Sequence, residues 1–185
     1  MDGLAAWAAQ LQWGRLTELL VTAAAAVLCI CFHETCHGLA ALWLGDPTAK
    51  RMGRLSLNPM KHIDPMGLVM LVVAKFGWAK PVPINVRYFK NPRAGMALSA
   101  LAGPLSNVFL SAVAAAGYTA SMFYAIYFER TFLETLAEFF SVVFYLSAGL
   151  AVFNLLPVPP LDGSKILFSL LPEKAYWKLL RYERY

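Results

Sequence analysis

A chain of 185 residues is long enough for one domain and short for two. Its 59% hydrophobic content and mean hydropathy of +0.55 are high for a soluble domain, and the apolar residues come in long blocks, so lipid is the expected solvent. The net charge of +5 does not point to nucleic acid, because no aromatic-interleaved basic face could track a phosphate backbone, and three cysteines in one apolar run give no disulfide framework.

The first apolar block runs from Leu19 to Leu44 and ends at Gly45-Asp46-Pro47. At about 26 residues, or ~39 Å of helix, it reads as a transmembrane span. Arg15 before it would suit a cleaved leader, but the run is too long and no small-residue cleavage site interrupts it convincingly. A basic stretch rich in Pro and Gly follows. Inside it Met66 to Ala74 is apolar for only nine residues, too short to span, and Val69, Val72 and Val73 suit a strand or a re-entrant half-segment. Trp78-Ala-Lys-Pro-Val-Pro83 reads as extended chain, since each Pro restricts the residue before it.

A second span is expected from Gly95 to Phe128. Straight helix over its 34 residues would measure ~51 Å, more than a bilayer, which predicts a kink at Pro104 or a break near Gly117. The third span runs from Phe132 to Leu156 and stops at Pro157-Val-Pro-Pro160. After Asp162-Gly163 an amphipathic stretch over 165–182 is expected to lie at the interface. The expected fold is an all-α polytopic membrane protein, a single domain over 1–185. It has three core transmembrane helices, plus a short re-entrant or β-hairpin segment over about 66–83.

Orientation follows from charge. Of 16 Lys and Arg, nine lie between Lys50 and Arg93 and five between Lys165 and Arg184. Three spans put both segments on one side. By the positive-inside tendency that side is cytoplasmic, the N-terminus is outside, and the location is the cell membrane.

The first span contains His33-Glu34-Thr35-Cys36-His37. On a helix His33 and His37 lie one turn apart on one face, so both imidazoles can bind one ion. Glu34 stands beside that face, where a carboxylate can act as general base on a metal-activated water. Ionisable groups at membrane depth are costly, ~2.5–3.5 kcal/mol per charge on insertion scales, and so need a partner. Two histidines leave a catalytic zinc one protein ligand short. Asp162 is the best candidate: it follows the third span, on the same side as the C-terminal half of the first, and a Pro-broken loop can dip back to a polar cavity. Without the histidine motif, Asp162-Gly163 would read as a turn.

These residues match a family. His33-Glu34-x-x-His37, Gly103-Pro104-x-x-Asn107 and Asn154-x-x-Pro157-x-Pro159-x-Leu161-Asp162-Gly163, in that order, resemble the site-2 protease family of intramembrane zinc metalloproteases. This is peptidase family M50, here in its minimal prokaryotic form without PDZ or CBS domains. Gly45-Asp-Pro-Thr-Ala-Lys50, His62-Ile-Asp-Pro65 and Gly77-Trp-Ala-Lys-Pro-Val-Pro83 are similar to the same subgroup, so the resemblance covers about 140 residues from Phe32 to Leu171. It implies one zinc held by His33, His37 and Asp162, with Glu34 as general base and acid. Asn107 and Asn154 would shape the site or bind the substrate backbone. The implied substrates are transmembrane proteins, cut within the bilayer. Members similar to this chain usually continue into another hydrophobic segment, whereas this sequence ends at Arg181-Tyr-Glu-Arg-Tyr185.

Cys29 and Cys36 lie near the motif, but a free Cys in an apolar helix reads as a small hydrophobe, and His62 reads as a hydrogen-bonded loop histidine. A catalytically inactive relative acting as a membrane-protein scaffold would be expected to carry a damaged motif, and all four positions are intact. A metal or proton transporter would want acidic or histidine residues on several spans, whereas Asn107 is the main polar feature of the second. An unwound substrate would need new backbone partners, and an edge over 66–85 could supply them by β-augmentation.

Overall fold

The computed structural model describes residues 13–64, 66, 67, 70, 79–128, 131–172 and 175. Its apolar blocks fold as helices, the form that satisfies every backbone group within its own segment when water is absent. Helix α1 spans Trp13–Trp43, beginning ahead of the expected Leu19. Its end is set by Gly45, whose φ of +108° suits a residue without Cβ. Gly45 N donates to Leu42 O (3.1 Å) and Asp46 N to Ala41 O (2.8 Å), the two bonds of a Schellman cap. A one-turn helix α2, Thr48–Arg51, follows.

Helix α3 spans Pro92–Phe128, α4 Thr131–Leu155 and α5 Asp162–Leu170. Pro92 occupies the first position of α3, and the Asn91 carboxamide oxygen accepts from Arg93 N and Ala94 N, both at 3.2 Å, so proline and cap together fix where α3 starts. Of the expected kink at Pro104 or break near Gly117, the break does not occur: the 37 residues form one continuous helix. Pro104 lies fully buried, and α3 packs against α1, α4 and α5, neighbours that compensate for one missing N–H. Gly117 serves close approach instead, since a Cβ there would lie 2.7 Å from the Phe140 ring of α4.

The three long helices α1, α3 and α4 are each apolar enough to cross a membrane. They meet around Ala25, Cys29, Ala114 and Val143, small side chains that let backbones approach. Ser147 donates its hydroxyl to Cys29 Sγ (3.1 Å) across the α1–α4 contact, so Cys29 is a packing residue, as expected. Large apolar side chains such as Phe109, Tyr145 and Phe153 are exposed on the outer surface, as suits a lipid-facing bundle.

The connection from α1 to α3 is held by polar groups. Asp46, fully buried, accepts at Oδ1 from Thr48 N (2.9 Å) and the Thr48 hydroxyl, and at Oδ2 from Asn85 N (2.6 Å). His62 donates Nε2–H to Ser56 O (2.6 Å), which also accepts from the Thr35 hydroxyl (3.0 Å), so His62 is the hydrogen-bonded loop histidine that was expected. Among the described residues there is no strand; one antiparallel bridge joins Ile63 to Ala79, with Lys80 N donating to His62 O (2.8 Å). Most of the expected re-entrant or hairpin segment, 68, 69 and 71–78, lies outside the described residues, and Met66, Gly67 and Met70 within it are helical rather than extended. The expected interfacial stretch begins within α5, which packs on α3 and buries Asp162, Gly163, Ser164 and Phe168. Beyond 172 only Ala175 of that stretch is described. The Arg93 guanidinium caps the end of α5, donating to Ser169 O (2.6 Å) and Leu171 O.

Candidate active site

His33 and His37 lie one turn apart on α1, both buried. Asp162 reaches them as the first residue of α5, after the Pro-rich turn that reverses the chain below α4. That turn is held by Val158 N to Leu156 O (2.8 Å) and Leu161 N to Val158 O (2.9 Å). Gly163 is required for this route, because a Cβ there would collide with the carbonyls of Leu155 and Leu156.

Three donor atoms converge. His33 Nε2 lies 2.9 Å from His37 Nε2, and Asp162 Oδ2 lies 3.1 Å from the first and 3.0 Å from the second. Ligand atoms of a tetrahedral zinc, at bonds of ~2.0–2.1 Å, stand about 3.3 Å apart, so the trio matches that spacing to within a few tenths of an ångström. The His37 tautomer agrees with this use: Nδ1–H donates to Ser99 O (2.7 Å), which leaves the Nε2 lone pair facing the other two donors. The trio also lies against a cradle that a side chain would fill, since a Cβ on Gly103 would collide with the His37 ring and lie 2.7 Å from His33 Cε1. The residues therefore fit a metal ion, and they are the three sequence candidates for ligands.

Asn107, fully buried one turn after Gly103, brings its side-chain amide to 3.2 Å from His33 Nδ1. Its Nδ2 faces the ring and its Oδ1 is buried with no partner among the described residues. A half-rotation of the amide puts the carbonyl on Nδ1–H, the tautomer in which His33 offers Nε2 to a metal. The Gly103-Pro104-x-x-Asn107 pattern thus has a physical basis: the glycine admits α3 to the histidines and the asparagine contacts one of them.

Glu34 stands beside the trio and forms no part of it. Its Oε2 accepts from Val82 N (2.9 Å), and it lines a cleft with His37, Val82, Asp162 and Lys165. Asn154 is not brought to the trio by a hydrogen bond: it is half-buried on α4 and donates to Leu150 O of its own helix (3.0 Å).

Two contributors escaped the sequence reading. Lys165 Nζ lies 3.1 Å from Asp162 Oδ1; the signal was an Asp and a Lys three apart on one amphipathic stretch. Burial opposes ionisation of Asp162, and the Lys165 charge beside Oδ1 favours it. Asp46 is the other, and its signal was an Asp directly after a helix-ending glycine.

Residues 119–179 match the family model described as peptidase family M50. Three similar proteins carry the name "Putative zinc metalloprotease". YwhC of Bacillus subtilis is 42% identical over 153 residues, 83% of this chain and 70% of that protein. Rip2 of Mycolicibacterium smegmatis is 32% identical over 147 residues, 74% of this chain and 52% of that protein. Rip2 of Mycobacterium tuberculosis is 32% identical over 138 residues, 72% of this chain and 51% of that protein, so the chain spans about half of each Rip2. No solved structure matches the chain significantly.

Proposed function

The chain belongs to peptidase family M50 and is a multi-pass membrane metalloendopeptidase, and we propose that it hydrolyses peptide bonds within or near the transmembrane segments of other membrane proteins. The observation that carries the reading is the buried convergence of His33, His37 and Asp162 from two helices. These three residues would hold one zinc ion, which supplies Lewis-acid activation of water when bound. Glu34 takes the proton from the attacking water and returns it to the leaving amine. Its position in the cleft, next to the trio yet outside it, supports a proton-transfer role over a ligand role.

Asn107 holds His33 in the ligating tautomer, and Asn154 contributes to shaping the site or to binding substrate backbone. A substrate helix must unwind before its peptide bonds can be attacked, and the loop over 79–85, whose Val82 bonds Glu34, would offer backbone partners to the extended strand. Charge bias puts this segment and the active site toward the cytoplasmic face of the cell membrane, with the N-terminus outside.

The test is zinc stoichiometry of the purified chain, with cleavage of a model transmembrane substrate by wild type and Glu34→Ala. One zinc per chain and cleavage lost in the variant are expected. Bound zinc without cleavage by wild type would favour a non-catalytic scaffold, and absence of zinc would defeat the reading.

A further inference from the structure

The two oxygens of the Asp162 carboxylate have different partners. Oδ2 faces His33 Nε2 and His37 Nε2, whereas Oδ1 lies 3.1 Å from Lys165 Nζ. We propose that Lys165 is a positioning residue that reserves Oδ1, so that Asp162 offers a single oxygen to the metal. This inference rests on the zinc reading above.

A carboxylate can bind a cation through one oxygen or two. A second oxygen would occupy the position that a catalytic zinc keeps open for water or substrate. An ammonium group suits the reserving role because it carries three donors and no lone pair, so it holds Oδ1 without competing for the ion.

An exposed ion pair three residues apart on a helix is ordinarily a weak surface contact. This pair differs in burial: the Asp162 side chain is 9% exposed and that of Lys165 30%. It is also held from both ends. Gly163 tucks the start of α5 beneath the carbonyls of Leu155 and Leu156, and Arg93 binds the carbonyls at its end. The helix therefore has little freedom to turn Asp162 about its own axis, and the side chain one turn on decides which oxygen faces the histidines.

The test uses the full chain in detergent, loaded with zinc for release to a chelator and with cobalt(II) for its visible spectrum. Lys165→Met and Lys165→Gln should each release metal roughly 10–100-fold faster than wild type, the usual range for losing a partner of a ligand. Their cobalt spectra should weaken in the way that marks a rise in coordination number. Lys165→Arg, which keeps charge and donors, should restore both readouts. Release and spectrum unchanged in both neutral variants would overturn the proposal, as would changes that arginine fails to restore. A wild-type chain that binds no metal would instead remove the zinc reading itself, an outcome visible before any variant is compared.

Discussion

Val82 gives its backbone N–H to Glu34 Oε2 at 2.9 Å, tying the carboxylate of α1 to a loop 48 residues away in the chain. The bond fixes where the carboxylate points and leaves Oε1 for a proton. Asp46, three residues past the end of α1, holds Asn85 of the same loop. The last third of α1 and the turn that follows it therefore carry the candidate base and the anchor of the strap that orients it.

Glu34→Gln keeps the shape and the acceptor for Val82 N but removes the base. We expect cleavage to fall by ~10²–10⁴-fold with zinc still bound. Metal analysis alongside a single-turnover cleavage assay separates the two effects, and activity above roughly one part in a hundred would contradict the role.

His33→Ala, His37→Ala and Asp162→Ala should each weaken zinc binding and end activity, because each removes one of three converging donors. Cys29→Ser and Cys36→Ser should change neither, since neither thiol belongs to the converging group. Full zinc occupancy and full turnover in Asp162→Asn would require a different third ligand.

Gly103→Ala should loosen the metal centre, because its methyl would run into the His37 ring. Overpacking of this kind costs ~1–3 kcal/mol and forces side chains off their rotamers. Gly149→Ala is the control: nothing lies within 4 Å of a Cβ there, so thermal unfolding and zinc binding should be preserved. Equal zinc affinity in Gly103→Ala and wild type would refute the close-approach account.

Asp46→Ala leaves the half-buried backbone amide of Asn85 and the groups of Thr48 without their acceptor. Hydrogen bonds to a charged group contribute ~1.5–3 kcal/mol each, so their loss is enough to free the strap locally. Cleavage should drop several-fold more than zinc affinity, and hydrogen exchange over 80–89 should speed up. Unchanged exchange there would show that the strap is held by something other than Asp46.

Accessible tags should report Lys90 on the cytoplasmic face and Arg130 on the opposite one. The 37-residue α3 between them is long enough to cross, at ~55 Å. Both tags on one face would overturn the three-span arrangement.

Features that depend on local periodicity were legible from the residues alone. Apolar blocks specify three long helices, and a spacing of four puts His33 and His37 on one face whatever they pack against. Asp162 could be nominated because a metal needs a third donor and a Pro-rich return lies on the correct side. Other relationships were decided by packing. Asn107 meets His33 across 74 residues and Asp162 meets it across 129, and both depend on how closely the helices approach. That approach is admitted by Gly103 and Gly163, whose missing Cβ atoms matter only once a neighbour is present. The continuity of α3 through Gly117 has the same origin, because the Phe140 ring of α4 packs where a Cβ would lie and holds the helix there. Lys165 shows the division most clearly. Its helical spacing from Asp162 is written in the chain, but the sharing of one carboxylate between Lys165 and two histidines exists only because packing on α3 brings α5 to the histidines of α1.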